Sequence, residues 1–125
     1  MGISRFRLIT KCSSARTADD AGSFVAYGLG ARSCSAWIES RARNDTATVR
    51  MMEWTLGFIS AYNKYVHKGI DVAGGQGADE IHASIDKHCR SRPFDSLSFA
   101  TSVLIERLNN ADDSRQVDWL SDLFK

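Results

Sequence analysis

Asp79, His82 and Asp86 stand at i, i+3 and i+7, a spacing that brings two carboxylates and an imidazole to one face of a helix. Such a trio can hold a metal ion or polarise a water, and a metal-dependent hydrolase using His82 and Asp86 is one reading of it. Catalytic zinc asks for three good protein ligands, and ordinary salt bridging on a solvated helix face accounts for the same spacing with fewer demands. No serine occupies a nucleophile elbow and no Cys–His pair has a recognisable catalytic spacing. Gly75-Gln-Gly77 opens a helix somewhat as a phosphate cradle does. No strand precedes it, no Lys-Ser/Thr follows, and Asp79 and Glu80 put negative charge where a phosphate would sit. The sequence predicts a non-enzymatic protein with no cofactor and no bound metal.

The remaining reactive side chains are the three cysteines. Cys34 begins one predicted helix and Cys89 ends another, both on apolar faces. A bridge between them would stabilise the fold by roughly 4 kcal/mol in the chain-entropy model. Two buried free thiols fit the pattern equally, since cysteine packs well as a small hydrophobe. Cys12 is left over, exposed on a tail and open to intermolecular pairing.

These residues need elements to position them, and 125 residues supply one domain. Sixteen Lys+Arg against 15 Asp+Glu leave a formal charge of +1, which argues against a nucleic-acid binder. No apolar run is long enough to span a membrane. Residues 1–22 read as a flexible, basic tail with no apolar centre of the kind a secretory signal requires, which keeps a cytoplasmic location open. The glycine-flanked stretch Gly22–Gly30 reads as a short extended segment laid across the body formed by residues 23–125.

From Cys34 onward the periodicity is helical, and the fold class is all-α, with about five helices. Ser33 caps the first, which ends near Asn44. Asp45 or Thr46 caps a long second helix reaching about residue 67. Its apolar residues, Val49, Met51, Met52, Trp54, Leu56, Phe58, Ile59, Ala61, Tyr62, Tyr65 and Val66, cover some two thirds of the circumference. A helix apolar on most of its surface is packed on several sides, which makes this one the expected centre of the fold. Asn63 falls inside the apolar arc, so its amide must find partners, tying down a loop or the N-terminal segment. Lys68, Gly69, Ile70, Asp71, Gly74, Gly75, Gln76 and Gly77 then form a flexible connection, the candidate surface for insertion into a partner protein. A third helix runs from about Asp79 to Cys89 and stops before Pro93. Asp95 caps a fourth, with Phe94 and Phe99 as a hydrophobic staple and Leu97, Ala100, Leu104 and Leu108 facing inward. A fifth starts near Asp113, where Asp113 and Gln116 form a capping-box-like pair and Val117, Leu120 and Phe124 face the core.

Three blocks occur in order: Ser33-Cys-Ser-Ala-Trp-Ile38, Trp54-Thr-Leu-Gly-Phe-Ile-Ser-Ala-Tyr-Asn63 and Ile85-Asp-Lys-His-Cys-Arg-Ser-Arg-Pro93. Together they resemble small exported bacterial helical proteins related in outline to the HdeA/HdeB-type acid-stress chaperones and to the immunity proteins of type VI secretion amidases. The resemblance spans about residues 24–108. It implies that Cys34 and Cys89 form a single intramolecular disulfide, and that the chain resides in the periplasm or is secreted, most simply as a homodimer. Two roles follow as expectations. One is a protein-binding module of inhibitor or immunity type. The other is an acid-stress chaperone that loosens as its carboxylates are protonated and exposes its aromatic core.

Overall fold

The computed structural model describes residues 23–123, without the side chains of 112–122. The predicted tail at 1–22, with Cys12, and Phe124 lie outside the described residues, and the side chains of Val117 and Leu120, predicted to face the core, are not described. A 3-10 turn at Gly28–Ala31 is followed by four α-helices: α1 (Cys34–Arg43), α2 (Thr46–Tyr65), α3 (Ala78–Ser91) and α4 (Leu97–Leu123). The only extended pairing among the described residues is an isolated bridge between Ser33 and Ser96.

The caps explain where the helices begin. Ser33 accepts the Ala36 amide at 3.2 Å, and Asp45 accepts that of Thr48, so each of α1 and α2 starts on a side-chain oxygen that satisfies an otherwise orphaned N–H. Asn44 ends α1 with φ 52°, the left-handed conformation that asparagine tolerates at a helix end. The first amides of α1 find further acceptors across the fold. Cys34 N donates to Asp95 O at 2.7 Å and Ser35 N to Pro93 O at 3.0 Å, while Leu97 N donates to Arg32 O at 2.8 Å. This exchange locks the start of α1 to the α3–α4 corner.

Four helices replace the expected five. The fourth and fifth are one element, because no Gly or Pro stands between Leu97 and Leu123 to break the helical ladder, and the Asp113–Gln116 signal falls in its interior. The cap of α4 is Ser96, not Asp95: Ser96 Oγ accepts the Phe99 amide at 3.1 Å. Asp95 is drawn off by His88 and Arg92, each at 2.8 Å from Oδ2. With the cap one residue later, Phe94 loses the staple register and is 96% exposed, and Phe99 is also exposed.

α2 is not the centre either. Only Thr48, Met51, Thr55 and Ile59, a single stripe, are fully buried along it; Met52, Trp54, Leu56, Phe58 and Tyr62 are half-buried against the core, while Val49, Tyr65 and Val66 face outward. It packs on α1, α4 and the 3-10 turn. α1 and α4 each touch every other helix, and the core gathers around their buried faces: Cys34 and Trp37 from α1, and Leu97, Ala100, Leu104, Ile105 and Leu108 from α4, joined by Ile81, Ile85 and Cys89 of α3. The aromatic residues of α2 outside the stripe are covered in part by the N-terminal segment. Trp54 Nε1 donates to Tyr27 O at 2.8 Å, and Phe24 lies 5.7 Å from Phe58, centroid to centroid.

Candidate functional site

The loop between α2 and α3 is a built turn, in contrast to the flexible connection that its glycines suggest. The half-buried Asn63, on the last full turn of α2, accepts the Val72 amide at 2.8 Å on Oδ1 and donates through Nδ2 to Asp71 Oδ1 at 3.3 Å. Asp71 in turn accepts the amides of Ala73 on Oδ1 and of Gly75 on Oδ2, each at 3.0 Å. The Gly75 amide, aided by Ala73 and Asn63, outweighs partial burial and holds the Asp71 carboxyl below its ordinary range. Gly74 and Gly75 take φ of 62° and 86°, values that glycine adopts without strain and that reverse the chain around the Asp71 carboxylate. Val72 and Ala73 are buried beneath. The outer residues stay in solvent: Lys68, Gly69, Gly74, Gly75, Gln76 and Gly77 are exposed, and Ile70 is 96% exposed.

The trio Asp79, His82 and Asp86 does not converge. Asp79 is exposed at the start of α3. His82 is 4% exposed, not on a solvated face as its spacing suggested, and its ring lies 5.8 Å from that of Trp37. Asp86 turns toward α1. Its Oδ1 accepts from Trp37 Nε1 at 2.7 Å and from Arg41 Nε at 2.9 Å, and its Oδ2 accepts from the far end of the same guanidinium. Partial burial opposes the charged Asp86 carboxylate, but the Arg41 and Trp37 bonds outweigh it and keep the carboxyl below its usual range. Among the described residues no group of three His, Cys, Asp or Glu side chains is placed to hold a metal ion.

One helical turn beyond Asp86, Cys89 meets Cys34 at disulfide-bonding distance, with Cα atoms 4.8 Å apart and both side chains buried. The helical placement of both residues is what brings them together: α1 begins where α3 ends.

Sequence reasoning missed two arrangements. The first is the Trp37–Asp86–Arg41 network. Its one available signal was Arg41 at i+4 from Trp37, which sets the guanidinium 5.6 Å from the indole centroid. The second is the seat of Trp54, where Gly30 lies so close that a Cβ would fall 1.9 Å from Trp54 Cζ2. No signal within either segment reports a contact between residues so far apart in the chain.

Among the described residues no helix is long and apolar enough to cross a membrane. No protein-family model matches the chain, and no curated protein or solved structure matches it.

Proposed function

We propose that this chain is a non-enzymatic protein-binding module of inhibitor or immunity type, working in an oxidising compartment such as the periplasm or the cell exterior. The observation that carries this reading is the loop at 68–77. It holds a fully solvated isoleucine directly before a turn whose residues Asp71, Val72 and Ala73 are fixed by hydrogen bonds and burial. An apolar side chain anchored beside a pre-ordered turn gives up less conformational freedom on binding than one on a free loop, which favours affinity. Tyr65 and Val66, also exposed, extend apolar surface from the end of α2 toward the loop. The paired cysteines support the compartment, because structural disulfides persist where thiols are not kept reduced.

A photo-crosslinking residue at position 70, activated in cells, tests the reading. A discrete crosslinked protein is expected, and the purified pair should show at least a tenfold weaker Kd for Ile70→Asp with the fold intact. A partner bound equally well by Ile70→Asp would remove the loop from the interface. Absence of any crosslinked protein would contradict the binding role. Sedimentation of the purified chain separates a second copy from a different protein as the partner.

A further inference from the structure

We propose that His82 is a proton-sensitive latch that holds the first half of α3 and the loop before it against α1 and α2, with the Cys34–Cys89 link as the fixed pivot when it opens. The latch goes beyond the binding role and does not depend on it.

Three features of the site carry the inference. First, His82 is buried, and its Nε2 has no hydrogen-bond partner among the described residues. The Met52 backbone lies beside the ring, and a buried Nε2 with nothing to donate to is best left as the bare, unprotonated nitrogen of a neutral imidazole. Adding a proton there creates a buried donor with no acceptor and a charge in an apolar site, both costly. Second, the charged groups facing the ring do not compensate. α1 contributes the Arg41 cation, which opposes a second positive charge; α2 contributes only the Met52 carbonyl; α3 contributes Asp79 and Asp86, which favour it. Asp86 is already occupied by Arg41 and Trp37, and Asp79 lies out in solvent. Burial is the largest influence and pushes the imidazole below its ordinary range.

Third, the constraints along α3 are uneven. Its C-terminal end is tied to α1 through Cys89 and to the α3–α4 corner through His88 and Asp95. Toward its N-terminus no side-chain cap is present at Gly77, and what holds it is burial of Val72, Ala73, Ile81 and His82 together with the bonds of Asn63 to Val72 and Asp71 in the loop before it. A protonated His82 reaches water with least disruption by swinging out that half, Ala78–Ile85, together with the loop.

The sign follows from linkage. An unfolded or opened chain binds a proton at His82 near pH 6.5, whereas the closed state resists it. Stability is therefore complete above about pH 6.5. Below it, stability declines by about tenfold in the closed-to-open equilibrium constant for each pH unit, until the closed state itself takes the proton.

The test uses the full chain with the disulfide intact. Urea midpoints and slopes at pH 7.5, 6.5 and 5.5 are compared between wild type and His82→Phe, with His67→Gln and His88→Gln as controls. Wild type should lose about tenfold in the folding equilibrium constant per pH unit below 6.5 relative to His82→Phe, and both controls should keep that loss. Amide exchange, normalised for intrinsic rates, should rise at 78–85 on going to pH 5.5 and be faster there than at 97–105. Equal pH dependence in wild type and His82→Phe would overturn the latch; equal protection of 78–85 and 97–105 at pH 5.5 would overturn the pivot. Should His82→Phe fail to fold, the His82 ring signal of wild type decides by nuclear magnetic resonance. A ring that stays neutral in the folded chain at pH 5.5 upholds the proposal, and one that titrates near 6.5 ends it.

Discussion

Trp37 Nε1 lies 2.7 Å from Asp86 Oδ1, a buried indole from one helix bonded to a carboxylate from another. Arg41 reaches the same carboxylate through both ends of its guanidinium, so one anion of α3 satisfies two donors of α1. Removing that anion leaves both unpaired. Asp86→Ala should cost about 2–3 kcal/mol, since each bond involves a charged group and the donors are partly buried. Trp37→Phe keeps most of the apolar bulk but removes one of the two donors to Asp86 Oδ1, and should cost about 1–3 kcal/mol. Urea unfolding at pH 7.5 checks both, and a loss from Asp86→Ala below about 0.5 kcal/mol would show that the network adds little.

Gly30 supports Trp54 by lacking a side chain. Because a Cβ would fall 1.9 Å from the indole, Gly30→Ala must displace either the ring or the 3-10 turn, at a cost of about 1–3 kcal/mol. The Tyr27 carbonyl would then lose its indole donor. Trp54 emission should shift toward that of a solvated indole; an unchanged spectrum with unchanged stability would contradict the seat.

How much of this was legible in the sequence depended on how local each signal was. Ser33 and Asp45 are legible because an N-cap is decided by one side chain and an amide three residues on. The helical periodicity of residues 34–108 is legible for the same reason. Asp95 was misread because His88 and Arg92 take its carboxylate, and the cap passes to Ser96, whose hydroxyl accepts the Phe99 amide three residues on. α2 was misread because an apolar arc states what prefers burial, not what is available to cover it. The body buries one stripe of α2 fully and the residues flanking it in part, and Val49 and Tyr65 are left to solvent. The placement of His82 was hidden in the same way: its spacing from Asp79 and Asp86 is real, but the face it occupies is turned inward by Trp37.

Asn63 and Asp71 should act together on the loop. Asn63→Ala leaves the Val72 amide without its acceptor and should cost about 1–2 kcal/mol, with faster amide exchange confined to residues 72–75. Asp71→Ala removes acceptors from Ala73 and Gly75 and should speed exchange over the same residues. Protection that survives both substitutions would mean that burial of Val72 alone shapes the turn.

A separate acid limb is expected from the carboxylates. Asp45 is drawn down to about 2 by the Ser40 hydroxyl first, then Arg43 and the Thr48 amide. At Asp86 and Asp95 burial works the other way, but hydrogen bonds to Arg41 and Trp37, and to His88 and Arg92, outweigh it and keep both below the ordinary range. A group with a lowered folded value contributes stability that is complete above its unfolded value and is lost as pH falls toward the folded one. Thermal melts between pH 5 and pH 2 should therefore show Tm falling below about pH 4, and His82→Phe should retain this fall. A flat Tm down to pH 2 would contradict it.

The claim on which the architecture and the proposed compartment both rest is that α1 and α3 are joined through sulfur. Peptide mapping of protein taken from cells quenched in acid and alkylated before lysis tests it most directly. The account predicts a linked pair of peptides containing Cys34 and Cys89, and a loss of roughly 4 kcal/mol when that link is reduced. Recovery of Cys34 and Cys89 as separate alkylated thiols, or of either one joined to Cys12, would contradict it.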